Sequence, residues 1–165
     1  MRSLQGLAIL TLLLCHPLRI CAAQLHHDLT VSLAPEEASL EVTDIITVPR
    51  GTDSLVFSLH PGLQPRLLEG DAQLARLPAA TDGDRHQGPE RYRVTLPAGR
   101  DSFTLRYSRR IRHALQQHGE EYARSFSTTR GMISPEGVFL SGSSYWYPHV
   151  EGSLLSFDLE MRLPG

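Results

Sequence analysis

The sequence predicts an all-β chain built as an antiparallel β-sandwich. Two observations carry that prediction: apolar and polar residues alternate along successive short runs, and Pro, Gly and Asp bound those runs. Residues two apart on a strand point to the same face, so each run offers one apolar face to a core. Short strands separated by turn residues at this spacing are typical of two antiparallel sheets packed face to face.

Each run keeps its apolar side chains on one parity. The alternating residues are, in chain order, Leu29, Val31 and Leu33; Leu40, Val42, Ile46 and Val48; Leu55, Phe57 and Leu59; Tyr92, Val94 and Leu96; Phe103, Leu105 and Tyr107; and Leu155, Phe157, Leu159, Met161 and Leu163. The last run is the most regular, and we expect its five side chains to point the same way.

Three connecting segments differ from these strands. The turn residues Pro-Ala-Gly-Arg-Asp at 97–101 predict a hairpin between the strands on either side. Residues 81–90 are polar and predict a long exposed loop. Between residues 109 and 129 the alternation breaks, and residues 114–117 favour one helical turn that Gly119 would end. The arginines that open this segment are expected to be solvated.

The amino terminus has the three-part pattern of an export signal. A short positive end precedes an apolar run over residues 4–15, and the small pair Ala22-Ala23 follows. The apolar run is shorter than the about 20 residues that a transmembrane helix needs. We therefore expect residues 1–23 to be a cleaved signal peptide and 24–165 to be the domain, with an uncleaved anchor as the alternative.

The composition of the chain limits the cellular compartments and the classes of binding partner that we expect. Removal of the leader would take away both cysteines, Cys15 and Cys21, and would leave the chain more acidic than its formal charge of −2, because Arg2 and Arg19 leave with it. An acidic domain argues against nucleic acid or an anionic membrane as a partner. The chain has no Lys and no Asn, which indicates a GC-rich bacterial genome and excludes a lysine nucleophile. We expect an exported protein, periplasmic or secreted.

The most specific motif lies near the carboxyl end. Residues 133–140, ISPEGVFL, followed by Trp146-Tyr147-Pro148, resemble the amino-terminal β domain of bacterial exported members of the aminopeptidase N family of zinc metallopeptidases. The order of the earlier strands resembles the same saddle-like domain. In that family the zinc and the catalytic glutamate belong to the next domain. The resemblance implies that this chain has no catalytic residue and no metal ligand of its own, and its sequence contains no His-Glu-x-x-His.

The resemblance also implies partners and a candidate cleft. The expected partner is a catalytic zinc domain in cis, with a peptide substrate contacted indirectly and zinc only in that other domain. The candidate cleft residues are Ser141, Gly142, Tyr145, Trp146 and Tyr147. Many family members carry a Gln-x-Glu element here whose carboxylate holds the substrate amine, whereas residues 140–144 read LSGSS. Recognition of the amine by this domain is therefore in doubt. For Trp146, core packing is the alternative.

Local spacing of the histidines does not predict a metal site. His26 and His27 are neighbours and would point to opposite faces of a strand, and His113 and His118 are five apart, which is wrong for one helical face. We expect all four to be exposed. A terminus at Gln24 would present Gln-Leu-His to copper or nickel unless His26 folds into the first strand.

Three functions remain open at this point. The first is the non-catalytic front domain of an aminopeptidase-like protein, and the second is a stand-alone periplasmic module that binds a protein or a glycan. An enzyme with unrecognised chemistry is the third. A reading frame that continues into His-Glu-x-x-His would favour the first. The regular strand at residues 155–163 has no covering element after it, so we expect a sandwich that is incomplete at its carboxyl end.

Overall fold

The computed structural model describes residues 24–68, 70–78, 88–112, 116–118, 126–128 and 131–164. The expected leader and most of the expected loop at 81–90 lie outside these ranges. None of the helical segments within them is long and apolar enough to cross a membrane.

The described chain is all-β, as predicted. Its strands are β1 Gln24–Ala34, β2 Ser39–Thr47, β3 Ser54–Leu59, β4 Arg66–Leu67, β5 Gln73–Arg76, β6 Glu90–Thr95, β7 Ser102–Arg110, β8 Gln116–His118, β9 Phe126–Thr128, β10 Met132–Ser134, β11 Gly137–Phe139 and β12 Leu154–Arg162. Two single 3-10 turns, Pro35–Glu37 and Gly142–Ser144, complete the described elements.

Two sheets enclose one core. The larger sheet has the order β12-β1-β2-β7-β4, the smaller one the order β3-β6-β5, and β8-β9 and β10-β11 form separate pairs. The core cluster draws on both sheets, with Val31, Ile46 and Leu105 from the larger and Phe57 and Val94 from the smaller. The predicted parity is confirmed in β1, β2, β6 and β7, whose alternating apolar residues are all buried.

The sheets are antiparallel, as predicted, except for one strand pair among the described residues. β12 runs parallel to β1, with Leu25 opposite Leu155 and Val31 opposite Met161. A parallel pair needs a long connection between its strands. The intervening chain, from β2 to the end of the second 3-10 turn, supplies it.

The predicted hairpin at residues 97–101 is wrong. β6 pairs with β3 and β5, whereas β7 pairs with β2 and β4, so the turn passes the chain from one sheet to the other. The turn itself forms, because the Arg100 amide donates to the carbonyl of Pro97 at 3.1 Å and Gly99 takes φ of +80°. Turn residues predict a change of chain direction, but β7 pairs with β2 because the two strands form a ladder of nine residues.

The segment after β7 also differs from the prediction. Residues 116–118 form strand β8, paired with β9, instead of a helical turn. Gly119 and His113 lie outside the described residues. Arg109 and Arg110 are exposed as expected, but they end β7 instead of lying in a loop.

Edge strand β12 carries an apolar face that is largely uncovered. In register, residues 155, 157, 159 and 161 lie beside 25, 27, 29 and 31 of β1, whose side chains point into the core. The odd residues of β12 therefore continue the core face of the sheet, as the parity predicted. Phe157 is 55% exposed, Leu159 42% and Met161 51%. We call Phe157, Leu159, Met161 and Leu163 the β12 apolar face.

Candidate functional site

The candidate cleft residues lie on one segment, residues 141–147, which we call the aromatic segment. It follows the β10–β11 hairpin, in which Pro135 and Glu136 form the turn. Hydrogen bonding to Ser134 and to its own backbone lowers the pKa of the exposed Glu136 carboxyl.

Local hydrogen bonds fix the backbone of the aromatic segment. The Ser144 hydroxyl donates to the Ser141 carbonyl at 2.6 Å, and the Tyr145 amide donates to the Gly142 carbonyl at 3.2 Å. Tyr145 takes the left-handed conformation with φ of 54°, which costs a non-glycine residue about 1–2 kcal/mol. The hydrogen bonds to the smaller sheet hold Tyr145 in this conformation.

The segment is also docked on the smaller sheet. The His60 amide donates to the Tyr145 carbonyl at 2.7 Å, and Ser58 and His149 exchange backbone hydrogen bonds at 2.8 and 2.9 Å. Ser58 belongs to β3, so His149, two residues after the aromatic segment, extends the ladder of the smaller sheet by one bridge. These bonds give the segment a defined position on the sandwich.

The aromatic side chains have different environments. Trp146 is 9% exposed and belongs to the core cluster, which agrees with the packing alternative. Its ring meets Tyr147 edge-on at 5.0 Å, and Tyr147 in turn meets the ring of His27 at 6.0 Å. Tyr147 therefore links the aromatic segment to β1 of the larger sheet.

The accessible part of the segment is a small polar rim. Gly142 is exposed, whereas Ser141, Tyr145 and Tyr147 are half-buried. The Ser141 and Ser143 hydroxyls lie 2.8 Å apart. The structure thus brings the five candidates together in sequence and space, and their role in a cleft stays a prediction.

A buried, hydrogen-bonded histidine–aspartate pair lies behind Tyr147. His27 Nδ1 is 2.9 Å from Asp44 Oδ2 and 3.2 Å from Oδ1, and the two residues are 1% and 0% exposed. The expectation that His27 is exposed is wrong, because its odd parity on β1 points it into the core. Asp44 has the parity of Val42 and Ile46, so a polar residue in an apolar series was the signal that could have revealed the pair.

Burial controls the electrostatics of this pair. Desolvation raises the pKa of Asp44 above its usual value, while the hydrogen bond from His27 opposes that rise. Burial also raises the pKa of the Tyr107 hydroxyl, and the charge of Asp44 adds to the effect. Within the described part of the chain, His27 Nε2 and the Tyr107 hydroxyl have no hydrogen-bond partner. Both side chains of the pair are closed off from solvent.

The histidine spacing of this chain does not match a gluzincin zinc centre. A gluzincin centre needs two His one helical turn apart, and no two His in the sequence are four apart. His26 lies on β1 with its side chain 35% exposed, less than predicted, beside Asp28. The backbone of His26 is paired with Thr47 of β2 and with Ser156 of β12. The side chain of His118 and all of His113 fall outside the description.

Comparison with known proteins gives a similarity of fold. No protein-family model and no curated protein matches the chain. Among solved structures, the chain is similar to a mutant M1 zinc metallopeptidase from Deinococcus radiodurans bound to a Tyr-Ser-Ala substrate, with a TM-score of 0.41 and 17% identity over 87% of this chain and 33% of that one. The chain is also similar to a two-domain M1 zinc metallopeptidase mutant bound to L-tryptophan, with a TM-score of 0.39 and 16% identity over 87% of this chain and 33% of that one.

The M1 zinc metallopeptidase from Deinococcus radiodurans without a named ligand gives a TM-score of 0.37 and 19% identity, over 87% of this chain and 32% of that one. The chain thus spans about a third of the length of these enzymes. A likeness at this level concerns the fold alone.

Proposed function

We propose that the chain is the non-catalytic amino-terminal domain of an exported, aminopeptidase N-like zinc metallopeptidase. In this role it packs against a catalytic zinc domain and helps to shape the peptide cleft, and it catalyses nothing by itself. The β12 apolar face is the observation that supports the proposal most strongly, together with the motif at residues 133–148.

The β12 apolar face calls for a covering surface. Burying one side chain of this size is worth about 1.5–3 kcal/mol, and the face presents four of them at 42% to 65% exposure. Because about half of each side chain is already covered, completing their burial is worth about half of the full sum, roughly 3–6 kcal/mol, which reaches the lower end of the net stability of a small domain, about 5–15 kcal/mol. Apolar faces of this kind mark interaction sites or aggregation hazards. A domain that packs on β12 would remove the hazard.

The aromatic segment borders on the same face. Tyr147 packs on His27 of β1, and Phe157 lies directly beside His27 in the parallel ladder. Paired residues of neighbouring strands are about 5 Å apart and share a face of the sheet. A domain seated on β12 would therefore reach Tyr147, and the polar rim of Ser141 and Gly142 would stand at the edge of the contact.

This arrangement favours a contribution of shape over one of chemistry. The rim offers hydroxyl groups and a half-buried Tyr145 but no carboxylate, since residues 140–144 contain none. The free amine of a peptide would have to be bound by groups of the zinc domain.

The test begins with the reading frame beyond Gly165. We expect a His-Glu-x-x-His helix downstream, and we expect the longer product to release amino acids from aminoacyl reporter substrates in a chelator-sensitive manner. In that product, Phe157→Asp should lower both stability and activity, because it places a charge in the domain contact. Glu160→Gln is the matched control, since Glu160 lies on the opposite face of β12.

Two results would contradict the proposal: a frame without a zinc motif, or a longer product in which Phe157→Asp behaves like Glu160→Gln. Either would favour the stand-alone module that binds a protein or a glycan.

A further inference from the structure

On the polar face of the larger sheet, three metal-ligand side chains meet across two strands. His26 and Asp28 are two residues apart on β1, and Asp158 of β12 lies opposite Asp28 in the ladder. One ligand atom of each lies within 4.8 Å of the other two. We propose that His26, Asp28 and Asp158, the β1–β12 cluster, bind a divalent cation of the zinc type and fasten the edge strand to the sheet.

The distances fit a tetrahedral site. His26 Nε2 is 3.3 Å from Asp28 Oδ1 and 3.6 Å from Asp158 Oδ2. Ligands that bind zinc at about 2.0–2.2 Å lie about 3.4 Å from one another at the edges of a tetrahedron. Two edges are therefore already near the required length. The Asp158 side chain is 84% exposed and free to rotate, so it can close the third edge.

A fourth side chain orients the imidazole. His26 Nδ1 lies 2.9 Å from the hydroxyl of Ser156, its neighbour across the ladder. When Nδ1–H donates to that hydroxyl, the lone pair of Nε2 faces two carboxylates, and only a cation or a proton at Nε2 makes this arrangement favourable. Histidines that bind metals usually donate their other ring N–H in this way. A proton at Nε2 is the competing occupant.

The donor set indicates which ion fits. Calcium and magnesium prefer oxygen ligands alone, whereas one imidazole with two carboxylates suits zinc. Copper or nickel at a free Gln24 terminus would need the amides of residues 25 and 26, which lie in the β1 ladders. The proposal departs from the sequence-based expectation of no metal ligand, because residue 158 is remote from residue 26 in the chain.

The experiment is a calorimetric titration of zinc chloride into the purified chain, with amide exchange of β12 as a second readout. We expect one zinc per chain and slower exchange in β12 when zinc is bound. Asp158→Asn should weaken the affinity, and Ser156→Ala should weaken it about tenfold or more through loss of orientation. Glu160→Gln is the control, because Glu160 is also an exposed acid, two residues further along β12, with Arg162 as its partner.

The outcomes separate the alternatives. Binding that survives Glu160→Gln and is lost in Asp158→Asn, with slower exchange in β12, supports the site. The absence of stoichiometric binding overturns it and leaves His26 Nε2 as a hydrogen-bonding neighbour of Asp28. Binding that Asp158→Asn does not change, or that both variants weaken equally, also overturns it, since the ion would then lie elsewhere or be held by diffuse charge.

Discussion

Replacing His27 by leucine should destabilise the fold by leaving a buried carboxylate alone. Leucine fills much of the space of the imidazole, so the main loss is the hydrogen bonding to Asp44. In the wild type, His27 Nδ1 lies 2.9 Å from Asp44 Oδ2 and 3.2 Å from Oδ1. A buried hydrogen-bonding group left without its partner costs about 1–3 kcal/mol, and more if the group is charged. That is a large share of the about 5–15 kcal/mol that stabilises a typical domain. Urea unfolding followed through the single tryptophan, the buried Trp146, measures the loss.

The loss should depend on pH. Burial already raises the pKa of Asp44 from 3.8, and without His27 the opposing hydrogen bond disappears, so the pKa of the folded state rises further. The folded state then holds its proton more tightly than the unfolded state. Stability conferred by this group is present below 3.8 and falls as pH rises toward the folded-state pKa. The deficit of His27→Leu against the wild type should be larger at pH 7 than near pH 4.

The double variant His27→Leu/Asp44→Val is the control. Replacement of both partners by apolar residues is often neutral or stabilising, so the double variant should recover most of the stability and lose the added pH dependence. The reasoning is refuted if His27→Leu costs less than about 1 kcal/mol, which would be an ordinary neutral hydrogen bond. It is also refuted if the double variant is as unstable as the single one.

Three further predictions concern the turn, the leader and catalysis. Gly99→Ala should lower the free energy of unfolding by about 1 kcal/mol, because its φ of +80° strains any residue with a Cβ while open space surrounds it; no change in the urea midpoint would contradict this. Mass spectrometry of the exported protein should show an amino terminus at or near Gln24, and recovery of the chain from Met1 in membranes would show an anchor instead. The purified chain should release no amino acid from aminoacyl reporters even with zinc, and chelator-sensitive release would be contrary evidence.

Alternation in the sequence predicted which side chains face the core, but not which strands are neighbours. Leu29, Val31 and Leu33 are buried as their parity required, since a period of two follows from strand geometry itself. The prediction of a hairpin at residues 97–101 was wrong because turn residues specify only that the chain reverses direction. Which strands then pair depends on strands that are distant in the sequence. The parallel contact of β1 with β12 joins the two ends of the described chain, and nothing local indicates it.

The same limit applies to the polar sites. His27 was expected to be exposed because histidine usually is, although its parity placed it inside, and Asp44 stood in an apolar series on β2. The burial of both residues could have been predicted from their parity on the strand, had parity been given more weight than residue type. The contact of His26 with Asp158 could not have been found, since it depends on the register of β12 against β1.

The central claim is that the β12 apolar face is an interface, and sedimentation velocity at several concentrations tests it most directly. The account predicts that the chain self-associates as its concentration rises, and that Phe157→Ser with Leu159→Ser restores a monomer. Glu160→Ser, on the opposite face of β12, should associate like the wild type. A stable monomer at every concentration, with no difference among these variants, would contradict the account.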